Sequence, residues 1–265
     1  MEEKQKKLLA EDHPWHALLR VYDTLPSTND LAKTLARQGA PQGTVILARN
    51  QTQGRGRMGR VFHSPADSGI YMSLILRPNC PPSELMHLTC AAAWAVCNAV
   101  EAATGLRPGI KWINDLVYKK RKLGGILTEL GFDHQGNVNF AIIGIGINCL
   151  QSPADFPPEL DGIAASLSMF CPSPVDTDAL AGQMILSLEE MNSILLTEQE
   201  AILKQYRTDC VTLGQEVVLL RNGCREEALA VDIDSQGALV LKFPDGRQEA
   251  VAAGEVSVRG MYGYV

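Results

Sequence analysis

The sequence lacks the features that mark membrane-spanning and secreted proteins. None of its 265 residues lies in an apolar run of about 18 residues, the minimum for a transmembrane helix. The charged N-terminal segment, residues 1–20, has no apolar core of the kind that a signal peptide requires. The seven cysteines form no CxxC pair and no cluster with histidine. These absences argue against a disulfide scaffold and a dedicated metal site, and they predict a cytoplasmic protein with reduced thiols.

Positive charge is also scarce. The chain has 24 Lys and Arg against 30 Asp and Glu, a formal net charge of −6. General nucleic-acid binding needs a basic face, so this balance argues against it. Residues 1–20 are also too few for a helix-turn-helix domain. Hydrophobic residues make up 46% of the chain, enough for a full-sized core in one large domain or in one large and one small domain.

Hydrophobic patterning predicts an α+β core around a mixed sheet, followed by a small β-barrel. A strand near Tyr22 precedes a helix that begins at Ser27 or Thr28 and stops at Gly39. Strands alternate with one long helix, at residues 83–104, as far as residue 148. Two helices are predicted within residues 176–209, and five short strands with Gly turns follow, a pattern typical of an SH3-like barrel. The predicted organisation is a leader at residues 1–20, a main domain at 21–210 and a barrel at 211–265.

The segment Arg49 to Arg60, RNQTQGRGRMGR, is rich in arginine and glycine and has no acidic residue. Glycine lets a backbone approach a ligand closely, and arginine donates to carboxylate and phosphate oxygens. The segment therefore predicts a loop that folds over an anionic small molecule. A solvated basic loop or an RNA-binding segment fits the same composition.

A second informative segment is KWINDLVYKKRKLGGILTE, which begins at Lys111. A lysine beside an aromatic residue at a strand end, here Lys111 and Trp112, points to a cleft. The pair Asn114–Asp115 also fits an ordinary turn, and Lys119–Lys122 fits a solvated hairpin tip. Gly124–Gly125 opens a strand whose backbone passes close to another group.

Two shorter motifs complete the set. Gly144–Asn148, GIGIN, resembles half of a dinucleotide fingerprint but lacks its third glycine and the following helix. Its small residues still leave room for a nucleotide. Ser27–Asp30, STND, is a helix-capping group whose hydroxyls and amide could also serve a polar ligand head group.

In order and spacing, these motifs together resemble the biotin–protein ligase family. The match runs from about Tyr22 to the C-terminus. It includes STN at Ser27–Asn29, QxxGRGRxGR at Gln51–Arg60, KWxND at Lys111–Asp115, KLGGIL at Lys122–Leu127, GIGIN at Gly144–Asn148, and the stretch from Ser64 to Pro78. The combination is far more specific than any one motif. It resembles the short form of the family, without the DNA-binding domain that some members carry.

The resemblance implies a catalytic domain that joins biotin and ATP into biotinyl-5′-AMP and then transfers biotin to a lysine of a biotin carboxyl carrier protein. The implied catalytic residues are Arg57 and Lys111. The implied biotin site comprises Ser27, Thr28, Asn29, Gln51, Gly54, Arg55, Gly56, Arg57, Lys111 and Gly125. The implied ATP site comprises Arg57, Arg60, Lys111, Trp112, Asn114, Gly144, Gly146 and Asn148. Mg²⁺ is expected with ATP, held mainly by the phosphates.

The sequence departs from the family pattern at two positions. Ile113 stands where Pro is usual, and Phe62 stands where Trp is frequent. The first departure predicts a looser turn and the second predicts different packing on the adenine side. The expected partner is the carrier domain of acetyl-CoA carboxylase or of another biotin-dependent carboxylase, with no DNA and no membrane, and a homodimer is compatible with the pattern.

Two other functions remain open from the sequence alone. A lipoate–protein ligase or related acyltransferase would share the core fold, although the Gly/Arg loop and the C-terminal barrel favour biotin. A nucleic-acid binder could use the arginine loop, but the acidic balance and the absence of interleaved aromatics argue against it. The barrel is interpreted either as a stabilising appendage or as a module that holds the carrier protein or caps the ATP site.

Overall fold

The main domain is organised around a seven-stranded mixed sheet with the order β1-β2-β3-β7-β6-β5-β4. The computed structural model describes residues 8–221 and 223–252, and the backbone of 257–260. The strands are β1 Leu19–Leu25, β2 Thr44–Gln51, β3 Gly69–Leu76, β4 Gly109–Lys111, β5 Asp115–Tyr118, β6 Arg121–Phe132 and β7 Val138–Asn148. β1 and β2 are parallel and the other neighbours are antiparallel, so the predicted mixed sheet is confirmed.

Helices cover both faces of this sheet. They are α1 Thr28–Arg37, α2 Leu88–Thr104, α3 Thr177–Ile194 and α4 Gln199–Asp209. α1 packs on β2, β3 and β7, where Ala32 and Ala36 meet Ile46 and Ile142 in a small apolar cluster. α2 lies on the opposite face and packs against α3 and α4 in the larger core. The two predicted helices within residues 176–209 are therefore confirmed.

The segment Pro82–Thr104, which ends with α2, is apolar and long enough to cross a membrane by composition. However, 67% of its most apolar window is buried inside the protein. Its alanines and cysteines allow the close approach of neighbouring elements that a central core helix needs. The burial is that of a core helix.

The residues before β1 belong to the same core. Leu8, Leu9 and Trp15 are buried, and the carbonyl oxygen of Leu8 lies against Gly182 of α3. The Trp15 ring fills the space beside Gly43. The part of the predicted leader that the structure describes therefore contributes to the core, while residues 1–7 lie outside the described residues.

A five-stranded antiparallel sheet follows α4, with the order β11-β10-β9-β8-β12. Its strands are β8 Glu216–Arg221, β9 Cys224–Ile233, β10 Leu239–Lys242, β11 Gln248–Val251 and β12 Ser257–Gly260. The predicted turns at Gly237 and Gly246 are confirmed, and both glycines have positive φ. The predicted turn residues Asn222 and Gly254 lie outside the described residues. The domain boundaries at 20/21 and 210/211 stay predictions.

Candidate active site

Strand register places the sequence motifs in one row across the sheet. Residues that pair directly lie on the same face. Lys111 pairs with Asp115, Asp115 with Gly125, Gly125 with Gly146, and Gly146 with Tyr71. Motifs that are far apart in the chain therefore meet on the face of the sheet that also carries α1.

A buried polar network closes one end of this face, at the start of α1. Ser27 is the N-cap and accepts a hydrogen bond from the Asp30 amide, as predicted. Thr28 and Asn29 are buried. The Ser73 hydroxyl of β3 lies 2.8 Å from Thr28 Oγ1 and 2.6 Å from Asn29 Oδ1. The first turn of the helix is thereby bonded to the centre of the sheet.

A carboxylate fixes the orientation of the Asn29 amide. Glu129 of β6 accepts a hydrogen bond from Asn29 Nδ2 at 2.9 Å and one from Lys33 Nζ at 2.8 Å. A carboxylate only accepts, so the Asn29 nitrogen faces Glu129 and its oxygen faces Ser73. Burial alone would lower the pKa of Lys33, but hydrogen bonds to Glu129 and Asp30 raise it. Lys33 is therefore a firmly charged partner of this carboxylate.

Gln51 extends the network to the arginine loop. Its Oε1 accepts from the Thr28 amide at 2.9 Å and lies 3.1 Å from the Thr28 hydroxyl. Its Nε2 donates to Ser64 Oγ at 3.1 Å, and Ser64 donates to the carbonyl oxygen of Phe62. The network connects the two ends of the loop with the start of α1.

The arginine loop itself forms a narrow hairpin. The Phe62 amide donates to the Gly54 carbonyl, and the Gly56 amide donates to the Arg60 carbonyl. A Cβ on Gly54 would lie 2.4 Å from the Phe62 oxygen, so a larger residue there would collide with the opposite side of the hairpin. Met58, at the tip, has a positive φ and is 74% exposed.

Two arginines tie this hairpin to the rest of the site. Arg55 Nε lies 3.1 Å from Asp30 Oδ2 at the start of α1. Arg57 donates to Asn114 Oδ1 at 2.8 Å. Burial lowers the pKa of Arg57, and the negative charge of Asp115 partly offsets this effect. Arg60 is exposed.

Residues 112–114, with the sequence WIN, join β4 to β5, and the peptide bond between Trp112 and Ile113 is cis. Lys111 is half-buried at the end of β4, and Trp112 is 7% exposed. Asn114 is fixed by a hydrogen bond from its Nδ2 to the carbonyl of Ile126. The prediction that Lys119–Lys122 is a solvated tip is wrong for Lys122, because its Nζ lies 2.6 Å from Asp115 Oδ1 in a half-buried ion pair.

Three glycines form the floor between these groups. A Cβ on Gly144 would lie 2.0 Å from Asn29 Oδ1, and one on Gly146 would lie 2.5 Å from the Phe62 ring. A Cβ on Gly125 would meet Asp115 Oδ1 at 3.2 Å. Glycine is thus required where the amide and the aromatic ring lie against the sheet.

The structure brings most of the candidate residues together, but it holds two of them elsewhere. Trp112 directs its indole nitrogen to the C-terminal sheet, at 3.0 Å from the Gly237 carbonyl. Asn148 is buried and donates to the Ala165 carbonyl. The contacts of Trp112, Asn148 and the glycines at 144 and 146 with a nucleotide stay predictions.

Sequence reasoning missed three members of the buried network, Ser73, Glu129 and Lys33. Ser73 lies in an otherwise apolar strand, GIYMSLIL, and one serine there carries little signal. Glu129 lies at a half-buried position near the end of β6. The one available signal was the isolated polar residue in a strand that is buried on both faces.

Comparisons with known proteins show the family of this chain. Residues 21–148 match the Biotin/lipoate A/B protein ligase family, and residues 212–259 match the Biotin protein ligase C terminal domain. The bifunctional ligase/repressor BirA of Bacillus subtilis is 37% identical over 233 residues, which are 88% of this chain and 71% of the relative. The biotin–[acetyl-CoA-carboxylase] ligase of Mycobacterium tuberculosis is 31% identical over 255 residues, which are 94% of this chain and 92% of the relative.

Solved structures show the same fold. The biotin protein ligase of Aquifex aeolicus in complex with biotin and ATP superimposes with a TM-score of 0.77 at 26% identity, covering 91% of this chain and 98% of that one. The biotin protein ligase of Leishmania major in complex with biotinyl-5-AMP has a TM-score of 0.62 at 26% identity, covering 89% of this chain and 98% of that one. By its similarity to these relatives over 88% and 94% of its length and its match to both family models, the chain belongs to the biotin protein ligase family.

Proposed function

We propose that the chain forms biotinyl-5′-AMP from biotin and ATP and transfers the biotinyl group to a lysine of a biotin carboxyl carrier protein. The observation that carries this proposal is the row Lys111–Asp115–Gly125–Gly146 across the sheet, with the Thr28–Asn29 network at one end and Arg57 reaching over it to Asn114. Relatives with this function, and structures that hold biotin with ATP, support it.

In the first step a biotin carboxylate oxygen attacks the α-phosphorus of ATP. The new P–O bond forms as the bond to the β-phosphate oxygen breaks, and pyrophosphate leaves. Both reactants are anionic, so the barrier includes their mutual repulsion. Fixed cations that meet the α-phosphate lower this barrier, because they are in place before charge builds up. We assign this task to Arg57 and Lys111.

Arg57 suits this task because it is already held. Its hydrogen bond to Asn114 fixes the direction of the guanidinium, and its partial burial weakens screening by water. A guanidinium is a planar fork whose geometry matches phosphate oxygens. We assign phosphate contacts to Arg57, Arg60, Lys111 and Asn114, with Gly144, Gly146, Trp112 and Asn148 as the further ATP residues.

We assign the biotin head group to the network at the start of α1. The Thr28 hydroxyl donates to Gln51 Oε1 inside the network, so its oxygen keeps acceptor capacity for a ligand donor. A cyclic urea offers two N–H donors and is complementary to such a wall. The biotin residues are then Ser27, Thr28, Asn29, Gln51, Lys111 and Gly125, with Gly54, Arg55, Gly56 and Arg57 from the loop.

In the second step the lysine amine of the carrier attacks the acyl carbon of the mixed anhydride. The amide bond forms, the acyl–phosphate bond breaks, AMP leaves and the amine loses a proton. The same cations stabilise the departing phosphate. The partner is therefore a protein with an accessible lysine, which we identify as the carrier domain of acetyl-CoA carboxylase or of another biotin-dependent carboxylase.

Mg²⁺ belongs to the proposal as the companion of ATP. Among the described residues there is no group of three or more His, Cys, Asp or Glu that could hold a metal ion. Asp115, the carboxylate nearest to Lys111 in the sequence, is ion-paired with Lys122. These residues fit an ion carried by the phosphates, with Asn114 and Asp115 as its protein neighbours. When bound, it would offset phosphate charge.

Three further properties belong to the proposal. We propose a cytoplasmic enzyme, in line with cysteines that are free throughout the described residues. We propose that it acts without binding DNA, in line with a net charge of −6. A homodimer remains compatible with the family and is tested by sedimentation.

The test is biotinylation of a carrier domain with ATP and Mg²⁺, followed by mass spectrometry of the target lysine. Lys111→Gln should abolish the product, whereas Lys120→Gln, at the exposed hairpin tip, should not. Lipoate in place of biotin tests the related acyltransferase, and a gel shift tests nucleic-acid binding. Transfer of lipoate in preference to biotin would contradict the proposal.

A further inference from the structure

Trp112 connects the candidate active site with the C-terminal sheet. It lies between Lys111 and Asn114, two residues to which the proposed function assigns phosphate contacts. Both of its N–H groups donate to residues beyond α4. The backbone N–H bonds Thr212 Oγ1 at 2.9 Å, and the indole N–H bonds the Gly237 carbonyl at 3.0 Å.

The acceptor for the indole is supplied by a turn built for that position. Asp234 accepts from the amides of Gln236 and Ala238 at 2.8 and 2.9 Å, which closes the turn between β9 and β10. Gly237 has a φ of +82°. A Cβ on Gly237 would lie 2.9 Å from Cys90 Sγ in α2. Glycine is therefore needed both for the turn and for its approach to the core.

The strand before Trp112 depends on such contacts because it is at the edge of the sheet. β4 has only three residues, and β5 is its one neighbour in the sheet order. On its other side the Val211 amide donates to the Ile110 carbonyl at 2.9 Å. The Tyr206 hydroxyl donates to the Ile113 carbonyl at 3.2 Å. The position of β4 and of the residues after it therefore depends on α4 and on the segment that directly follows α4.

We propose that Thr212 and the turn Asp234–Ala238 are positioning elements for adenylate formation. By holding both N–H groups of Trp112, they set the places of Lys111 and Asn114, which flank it. The inference rests on the proposed function and assigns the C-terminal sheet a task in the first half-reaction. It differs from carrier docking, which would act only in the second.

Matched pairs of variants test the two contacts. Thr212→Val keeps the shape of the side chain but removes the acceptor, whereas Thr212→Ser keeps the hydroxyl. Gly237→Ala is paired with Gly246→Ala in the neighbouring hairpin. Gly246 has a similar φ, +88°, but nothing within 4 Å of its added Cβ, so the pair differs in contact with the core. Thermal unfolding shows whether each variant is folded.

Two activities and one affinity are measured on the full chain. The activities are biotin-dependent ATP–pyrophosphate exchange and transfer from preformed biotinyl-5′-AMP to the carrier, and the affinity is that for biotin, by calorimetry. Thr212→Val should lower kcat for exchange by about tenfold, the scale of one lost positioning hydrogen bond. Biotin affinity should fall much less, because Lys111 is the one assigned biotin residue next to Trp112, and the others lie on other segments. Thr212→Ser should restore exchange. Gly237→Ala should lose more exchange than Gly246→Ala at a comparable melting temperature.

The inference is overturned if Thr212→Val and Thr212→Ser exchange equally well. It is also overturned if biotin affinity falls in parallel with exchange, which would indicate general loss of structure, or if the variants impair transfer alone, which would indicate carrier docking. If Gly237→Ala does not fold, the Thr212 pair decides. A wild-type chain that performs no exchange would refute the proposed function, and this inference with it.

Discussion

Replacing Gly144 by alanine should disrupt the buried network without adding charge or altering the loop. The added Cβ would lie 2.0 Å from Asn29 Oδ1, 2.6 Å from its Cγ and 2.7 Å from its Nδ2. Ordinary contact begins at about 3.4 Å, so the amide must move by more than 1 Å, far enough to break its hydrogen bonds. Asn29 would then lose Ser73, at 2.6 Å, and Glu129, at 2.9 Å.

The cost follows from the kinds of bond that are lost. A neutral hydrogen bond contributes about 1 kcal/mol and one to a charged group about 1.5–3 kcal/mol. The expected loss of stability is therefore about 2–4 kcal/mol. If the network also binds biotin, the affinity for biotin should fall by at least about tenfold, equivalent to about 1.4 kcal/mol.

Calorimetry measures the affinity for biotin, and denaturant unfolding measures the stability of the fold. Gly131→Ala is the matched control, because its Cβ would meet the Phe140 ring at 2.2 Å in the same pair of strands. It should destabilise the protein while leaving biotin affinity intact. In the double variant Asn29→Ala with Gly144→Ala the collision is gone, so affinity should equal that of Asn29→Ala alone. Additive losses in this cycle, or normal binding by Gly144→Ala, would refute the reasoning.

Arg57→Ala should slow ATP–pyrophosphate exchange by about two to three orders of magnitude, the effect of removing one transition-state donor, and Arg57→Lys should recover part of it; near-normal exchange by the alanine variant would contradict this role. Trypsin should cleave at exposed Arg60 more slowly when biotin is bound, because the loop then folds over its ligand; equal rates at saturation would argue against closure. Burial lowers the pKa of His87, although its bond to the Leu195 carbonyl opposes this. The unfolded chain therefore binds more protons, and stability should be full above about pH 6.5 and fall below it. His87→Gln should flatten the acid side of the stability curve, and an unchanged slope would exclude His87 as the cause.

The sequence predicted the elements of the fold because their signals are local. The apolar run at Thr44–Ala48, the cap at Ser27 and the glycine stop at Gly39 depend on near neighbours, and the structure confirms them. The turn at Asp245–Gly246 is of the same kind. Such features are readable because a few adjacent residues determine the backbone conformation.

Contacts across the sheet could not be derived from those local patterns. Lys122 reads as part of a cationic tip, but β5–β6 pairing places it beside Asp115. Gly144 reads as room for a nucleotide, yet the residue against it is Asn29, which is over one hundred positions away in the chain. Strand pairing decides the first case and the packing of α1 on the sheet decides the second, and both are properties of the assembled fold.

The same reasoning explains why the glycine motifs occur on this sheet. β6 and β7 pair along most of their length, and side chains at Gly144 and Gly146 would collide with Asn29 and Phe62. Gly125, Gly144 and Gly146 remove side chains from one face only, while the alternating Ile126, Ile145 and Ile147 stay buried on the other. One face of these strands thus supplies the larger hydrophobic core, and the other leaves room for the Asn29 amide and the Phe62 ring. The period of two in GIGIN therefore allows a single strand to pack into the core on one face and to accommodate the Asn29 amide and the Phe62 ring on the other.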